Sequence, residues 1–111
     1  MATTAFNRTA RAVGTTPVQI GTYAAPAATN TFLLGLSLAD ITAGDITVAA
    51  YLKDVSNNET YIIPPGAVVI PGMTLTLGAD TKIALNEGDR IYVVSDTAAS
   101  VDVIMSLMEQ A

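Results

Sequence analysis

Apolar and small residues alternate with a period of two through most of this chain, and that alternation leaves few folds open. Phe32, Leu34, Leu36 and Leu38 fall on one side of an extended segment, with Thr31, Leu33, Gly35 and Ser37 on the other. Ile46, Val48, Ala50 and Leu52 repeat the pattern, followed by Met73, Leu75 and Leu77, and finally Val101, Val103, Met105 and Leu107. Successive side chains of a strand point to opposite faces, whereas a helix would space its apolar positions three and four apart. Strands of this kind hide one face each, so they must be stacked in layers.

Punctuation between these runs sets their number. Residues 6–13 and 18–23 read as two strands around the turn-forming Gly14, Thr15, Thr16 and Pro17, and residues 24–30, with Pro26, read as a loop. A polar tip at residues 54–58 predicts a hairpin whose returning strand covers 59–63. Pro64, Pro65 and Gly66 on one side and Pro71 and Gly72 on the other bracket residues 67–70. That piece is expected to be an edge strand or a corner, because proline cannot donate to a central ladder. Residues 82–85 and 90–95 complete the set, and residues 39–43 form at most a turn. The expectation is an all-β antiparallel β-sandwich, jelly-roll-like, of eight or nine short strands. Residues 13–111 form the sandwich domain and residues 1–12 an N-terminal arm or first strand.

Composition narrows the chemistry. The 111 residues contain no His, Cys or Trp, which removes Ser-His-Asp and Cys-His catalysis and zinc sites built on those ligands. Every carboxylate except Asp102 lies in or beside an expected turn. Val94-Ser95-Asp96-Thr97-Ala98 resembles the Asp-Thr-Gly run of aspartic proteases, but Ala98 stands where that family has Gly, and Asp96 reads as a turn cap. Asp54, Asn57, Asn58 and Glu59 offer oxygen ligands without the spacing of a calcium loop. No catalytic residue, cofactor or metal is expected. Ten acidic against five basic residues give a net charge of −5, so nucleic acid is not an expected partner. No apolar run reaches the ~20 residues of a membrane span, and the start of the chain lacks the apolar core of a signal peptide. The chain is expected to be made and kept in solution.

Only 14% of residues are charged although half are hydrophobic, which predicts surface buried against other molecules. Leu33, Tyr51, Ile63, Val94, Ile104 and Met108 fall opposite the expected core, so a homo-oligomer of two- or three-fold symmetry is expected, the trimer favoured. Phe6, Arg8 and Arg11 near the N-terminus, and Tyr51 with Tyr61 as cross-strand neighbours beside the hairpin tip, are the candidate partner-binding residues. The same tip, with Asn57 and Asn58, is the place where a glycan would bind if the chain were a host-surface module. Phe32 is assigned to the core.

Three segments of the C-terminal half carry a family likeness. Ile70-Pro-Gly-Met-Thr-Leu-Thr-Leu77, Ile83-Ala-Leu-Asn-Glu-Gly-Asp-Arg-Ile-Tyr-Val-Val94 and Val101-Asp-Val-Ile-Met-Ser-Leu-Met-Glu109 resemble small β-sandwich virion structural proteins of tailed bacteriophages. The resemblance implies a non-enzymatic part of a virion assembled in the host cytoplasm. A capsid decoration, or cement, protein packed over the major capsid protein is the first expectation, and a tail, neck or baseplate component the second.

Overall fold

A computed structural model describes residues 3–78 and 82–111. Among the described residues there are nine strands: β1 (Thr3–Val13), β2 (Val18–Gln19), β3 (Asn30–Asp40), β4 (Ile46–Lys53), β5 (Glu59–Val69), β6 (Thr74–Leu77), β7 (Ile83–Leu85), β8 (Arg90–Ser95) and β9 (Val101–Gln110). They form two antiparallel sheets, one ordered β1-β9-β3-β6 with β7 also on β3, the other ordered β2-β8-β4-β5. The all-β sandwich expected from the alternation is the fold observed. Leu36, Leu38, Val101, Val103, Met105 and Leu107 of the first sheet face Ile46, Val48, Ala50, Ile91 and Val93 of the second, all buried. Each such side chain contributes roughly 1.5–3 kcal/mol by leaving water.

Residues 3–13 are the first strand of the sandwich, paired with β9 from Thr3–Gln110 to Val13–Val101. Of the two readings of residues 1–12, the first strand is the one the described residues form, and residues 1 and 2 lie outside them. Near its end β1 carries a bulge at Arg11 and Ala12, where Ala12 takes a positive φ of 50° and its N–H donates to Asp102 Oδ1 at 2.8 Å. The turn after it is locked to the turn after β8. Ser95 N–H donates to the Gly14 carbonyl, Ser100 N–H to that of Val13, and the buried Ser95 and Ser100 hydroxyls bond each other.

Four details depart from the sequence reading. The alternation of β3 does not run straight through, because Leu33 pairs with Leu107 and Gly35 with Ser106, two steps on β3 against one on β9. This bulge reverses the sides: Leu33 is buried in the core, while Phe32 and Leu34 are half-buried. Phe32 lies opposite Met108, on the outer face and not in the core. A second bulge at Ile62, between the pairs Ala50–Ile63 and Tyr51–Tyr61, turns Ile63 inward although Tyr61 stays outside. Leu33 and Ile63 are therefore core residues, unlike Ile104, which is exposed as expected.

Pro64, Pro65 and Gly66 do not end a strand. β5 continues past them as the outer edge of its sheet, and the step from Ile63 to Ala67 faces only Ala50 to Val48 on β4. The extra residues bulge outward, where no ladder hydrogen bond is demanded of proline. The expected strand over 18–23 is cut short after Gln19 by a single 3-10 turn, Ile20–Thr22, in which Gly21 and Thr22 both have positive φ.

Candidate functional site

Three groups of side chains on the surface are organised beyond what the core requires. The first crosses the outer face of the β2-β8-β4-β5 sheet. Tyr51 sits opposite Tyr61 on β5 and opposite Tyr92 on β8, so the three rings form a row across the strands. Tyr51 stacks on Tyr92 with centroids 5.4 Å apart and planes 5° from parallel, and meets Tyr61 edge-on at 5.6 Å and 71°. Lys53 Nζ stands 5.4 Å from the centre of the Tyr92 ring and 3.9 Å from Glu59, an exposed pair of little energetic weight. Tyr51 is only 5% exposed and Tyr61 is 48% exposed. Burial raises the Tyr51 phenol above its ordinary value, and the nearby Glu59 carboxylate adds to the shift. The expected Tyr51–Tyr61 neighbours are thus real, but Tyr51 offers no free ring face. It holds Tyr61 in place.

The adjoining tip is braced from within. Asp54 Oδ1 accepts the N–H groups of Ser56 and Asn58, which holds its carboxyl below the ordinary value, the Asn58 bond being the largest cause. Arg90 reaches across from β8 to donate to the Asp54 carbonyl at 2.7 Å. The lone pairs that a calcium ion would use on Asp54 Oδ1 are thereby engaged by the turn itself.

The second group lies along β1. Phe6 and Arg8 share the side of β1 that faces the sandwich, opposite the buried Leu107 and Met105. The Arg8 guanidinium lies 4.6 Å from the Phe6 ring centre and 5.7 Å from that of Tyr23, a geometry in which a cation is attracted to the ring faces. Tyr23 donates its phenolic proton to Glu109. Burial, and secondarily that bond, push its pKa up to about 12. Phe6 and Arg8 are therefore brought together, whereas Arg11, in the bulge, is exposed and separate.

The third group was not singled out by sequence. Val68, Ile70 and Met73 are each about half exposed or more and lie together around the turn between β5 and β6, and the half-exposed Ile41 follows Asp40, which bonds to that turn. The Met73 carbonyl accepts from Asp40 N–H and Ile70's from Met73 N–H, which gathers the ends of β3, β5 and β6. Val68, Ile70, Met73 and Leu75 line an open, largely apolar cavity of about 300 Å³ there. Elsewhere Asp96, the protease-like position, accepts from Thr47 N–H at 3.0 Å and from the Thr97 hydroxyl. Those bonds, Thr47's first, hold its carboxyl below the ordinary value.

The fold is that of an antiparallel β-sandwich that carries these three organised groups on its surface. No protein-family model matches the chain, and no curated protein matches it. Among solved structures, a chain from a Bacillus endospore appendage, described as belonging to a novel family of disulfide-linked pili, is similar over 96% of this chain and 85% of that one. The TM-score is 0.54 and the sequence identity 15%. At that identity the similarity is one of fold.

Proposed function

We propose that this protein is a non-enzymatic structural subunit of a tailed-phage virion, a capsid decoration protein that packs over the major capsid protein. The observation that carries the reading is the apolar end formed by Val68, Ile70 and Met73, three large side chains left in water around one open cavity. Exposed clusters of this kind mark contact sites, and in a chain with so few charges the contact gains its free energy from apolar burial. The three segments that resemble phage virion sandwiches, including the one holding Ile70 and Met73, point to a coat lattice as the partner. Association of copies around a symmetry axis over that lattice completes the reading, and the virion is then the location.

Sedimentation of purified protein with empty phage shells tests it. Saturable co-sedimentation that Met73→Asp reduces at least tenfold supports the reading. Absence of co-sedimentation, or binding indifferent to both Met73→Asp and Val68→Asp, overturns it. Both residues are more than half exposed, so neither substitution threatens the fold.

A second reading, a filament subunit, is favoured by the appendage pilus whose chain shares this fold. The 111 residues hold no cysteine, so disulfides between them could not join such a filament. Electron microscopy of the concentrated protein separates the two, since filaments formed without shells would favour the second.

A further inference from the structure

The outer face of the β1-β9-β3-β6 sheet is unlike the rest of the surface. Across its rows lie Thr9, Ile104, Ser37 and Thr76, then Asn7, Ser106 and Gly35, then Ala5, Met108, Phe32 and Ala84. Among the described residues Asp102 is the one charged residue at the outward positions of the paired rows, and it stands at one end, where it already accepts the Ala12 N–H and where the exposed Arg11 occupies the same bulge. The opposite sheet, by contrast, carries Lys53, Glu59 and Arg90 beside its tyrosine row. Ile104 is 51% exposed on one side of the central Ser106 row, and the half-buried Met108 and Phe32 pair on the other side of it.

We infer that this face is a two-fold interface with a second copy of the same chain, the two sheets packing face to face. Charge selects the occupant. Each copy has a net charge of −5, yet this is the surface on which two copies meet without bringing their acidic groups together. With the axis beside Ser106, antiparallel β9 strands set Ile104 of one copy against Met108 of the other. The same register sets Asp102 against Gln110, at opposite ends of the interface, so no carboxylate faces another. Small residues at Gly35, Ser37, Ser106, Ala5 and Ala84 allow close approach of two pleated surfaces. Four strands at about 4.8 Å spacing and eight residues at about 3.3 Å rise give roughly 500 Å² per copy in projection. The pair buries on the order of 1,000 Å² or more, the size at which a specific interface becomes stable.

This inference deepens the structural-subunit reading by naming the surface through which copies meet, and it is tested without any particle. Light scattering should give twice the 11.4 kDa chain mass for the wild type at about 100 μM, and the monomer mass for Ile104→Glu with an unchanged circular dichroism spectrum. The chain has no cysteine, so Ser106→Cys with a short bismaleimide should cross-link copies efficiently, while Val68→Cys, exposed at the apolar end, should not. A monomeric wild type, a three-fold mass, or a dimer that survives Ile104→Glu would each overturn it. Shell binding by a monomeric wild type that is lost in Ile104→Glu would also overturn it, assigning the face to the coat protein while leaving the structural role standing.

Discussion

Tyr51 lies parallel to Tyr92, ring centre 5.4 Å from ring centre, on adjacent strands that no local turn connects. The pair buries Tyr51 on what would otherwise be the open face of its sheet. Truncating it removes a large packed ring, so Tyr51→Ala should cost about 3 kcal/mol. Tyr61→Ala, on the wetter side of the row, should cost less than about 1 kcal/mol. A double-mutant cycle with Tyr51→Leu and Tyr92→Leu should return a coupling of about 0.5–1.5 kcal/mol. Urea unfolding of the wild type, the two alanine variants and the three leucine variants measures all three quantities, and zero coupling would show that the rings are neighbours without interacting.

Gly21 has a φ of +59°, and a Cβ built there would stand 2.6 Å from Arg8 Cβ. Gly21→Ala therefore meets both left-handed strain and a clash with the side chain that covers Phe6 and Tyr23. The expected loss is about 1–2 kcal/mol. Arg8→Ala in the same background should recover part of it, since it removes the far side of the clash. Thermal melts of the two variants provide the comparison.

Tyr23 makes stability fall in alkali. An unfolded tyrosine ionises at 10.0, and folded Tyr23 holds its proton to about 12. Below pH 10 both states keep the proton and the contribution is intact. Between 10 and about 12 the unfolded chain releases it while the folded chain does not, so stability declines as pH rises through this window. Tyr23→Phe should flatten that decline without abolishing it, because Tyr51 is shifted in the same direction. Equilibrium denaturation from about pH 8 to about pH 12, the range set by tyrosine ionisation, follows the slope in both proteins.

The β3 bulge separates two adjacent leucines. Leu33 is 1% exposed and Leu34 half-buried, so Leu33→Ala should lose about 2–5 kcal/mol and Leu34→Ala less than half as much. Equal losses, or the reverse order, would mean that β3 runs on without a break in its alternation.

That pair of leucines also shows where the sequence stops being readable. Where polar and apolar residues truly alternate, as over residues 36–38 and 74–77, the core-facing side is plain from the sequence, and the two-layer architecture follows. At Leu33-Leu34 both neighbours are apolar, so either side could face inward, and only Gly35, an isolated strand glycine, hints at a bulge. Pro64 and Pro65 signal an edge correctly but read as a break, because a bulge that ejects both prolines depends on the partner strand β4. Tyr51 and Tyr61 were recognisable from the hairpin tip between them. Tyr92 was not, since its place beside Tyr51 is set by the long-range register of β4 and β8. The apolar end was hidden for a different reason: Val68 in β5 and Ile70 and Met73 in the turn after it are close in sequence, but only the packing of the sheets shows that they stay in water.

Electron cryomicroscopy of phage shells incubated with this protein tests the proposed role most directly. The proposed packing predicts density for the sandwich on the outside of the shell, over joints between coat subunits, with the end bearing Val68, Ile70 and Met73 turned toward the coat. Particles whose shell lacks any density for this protein, or density in which that end points to solvent, would contradict it.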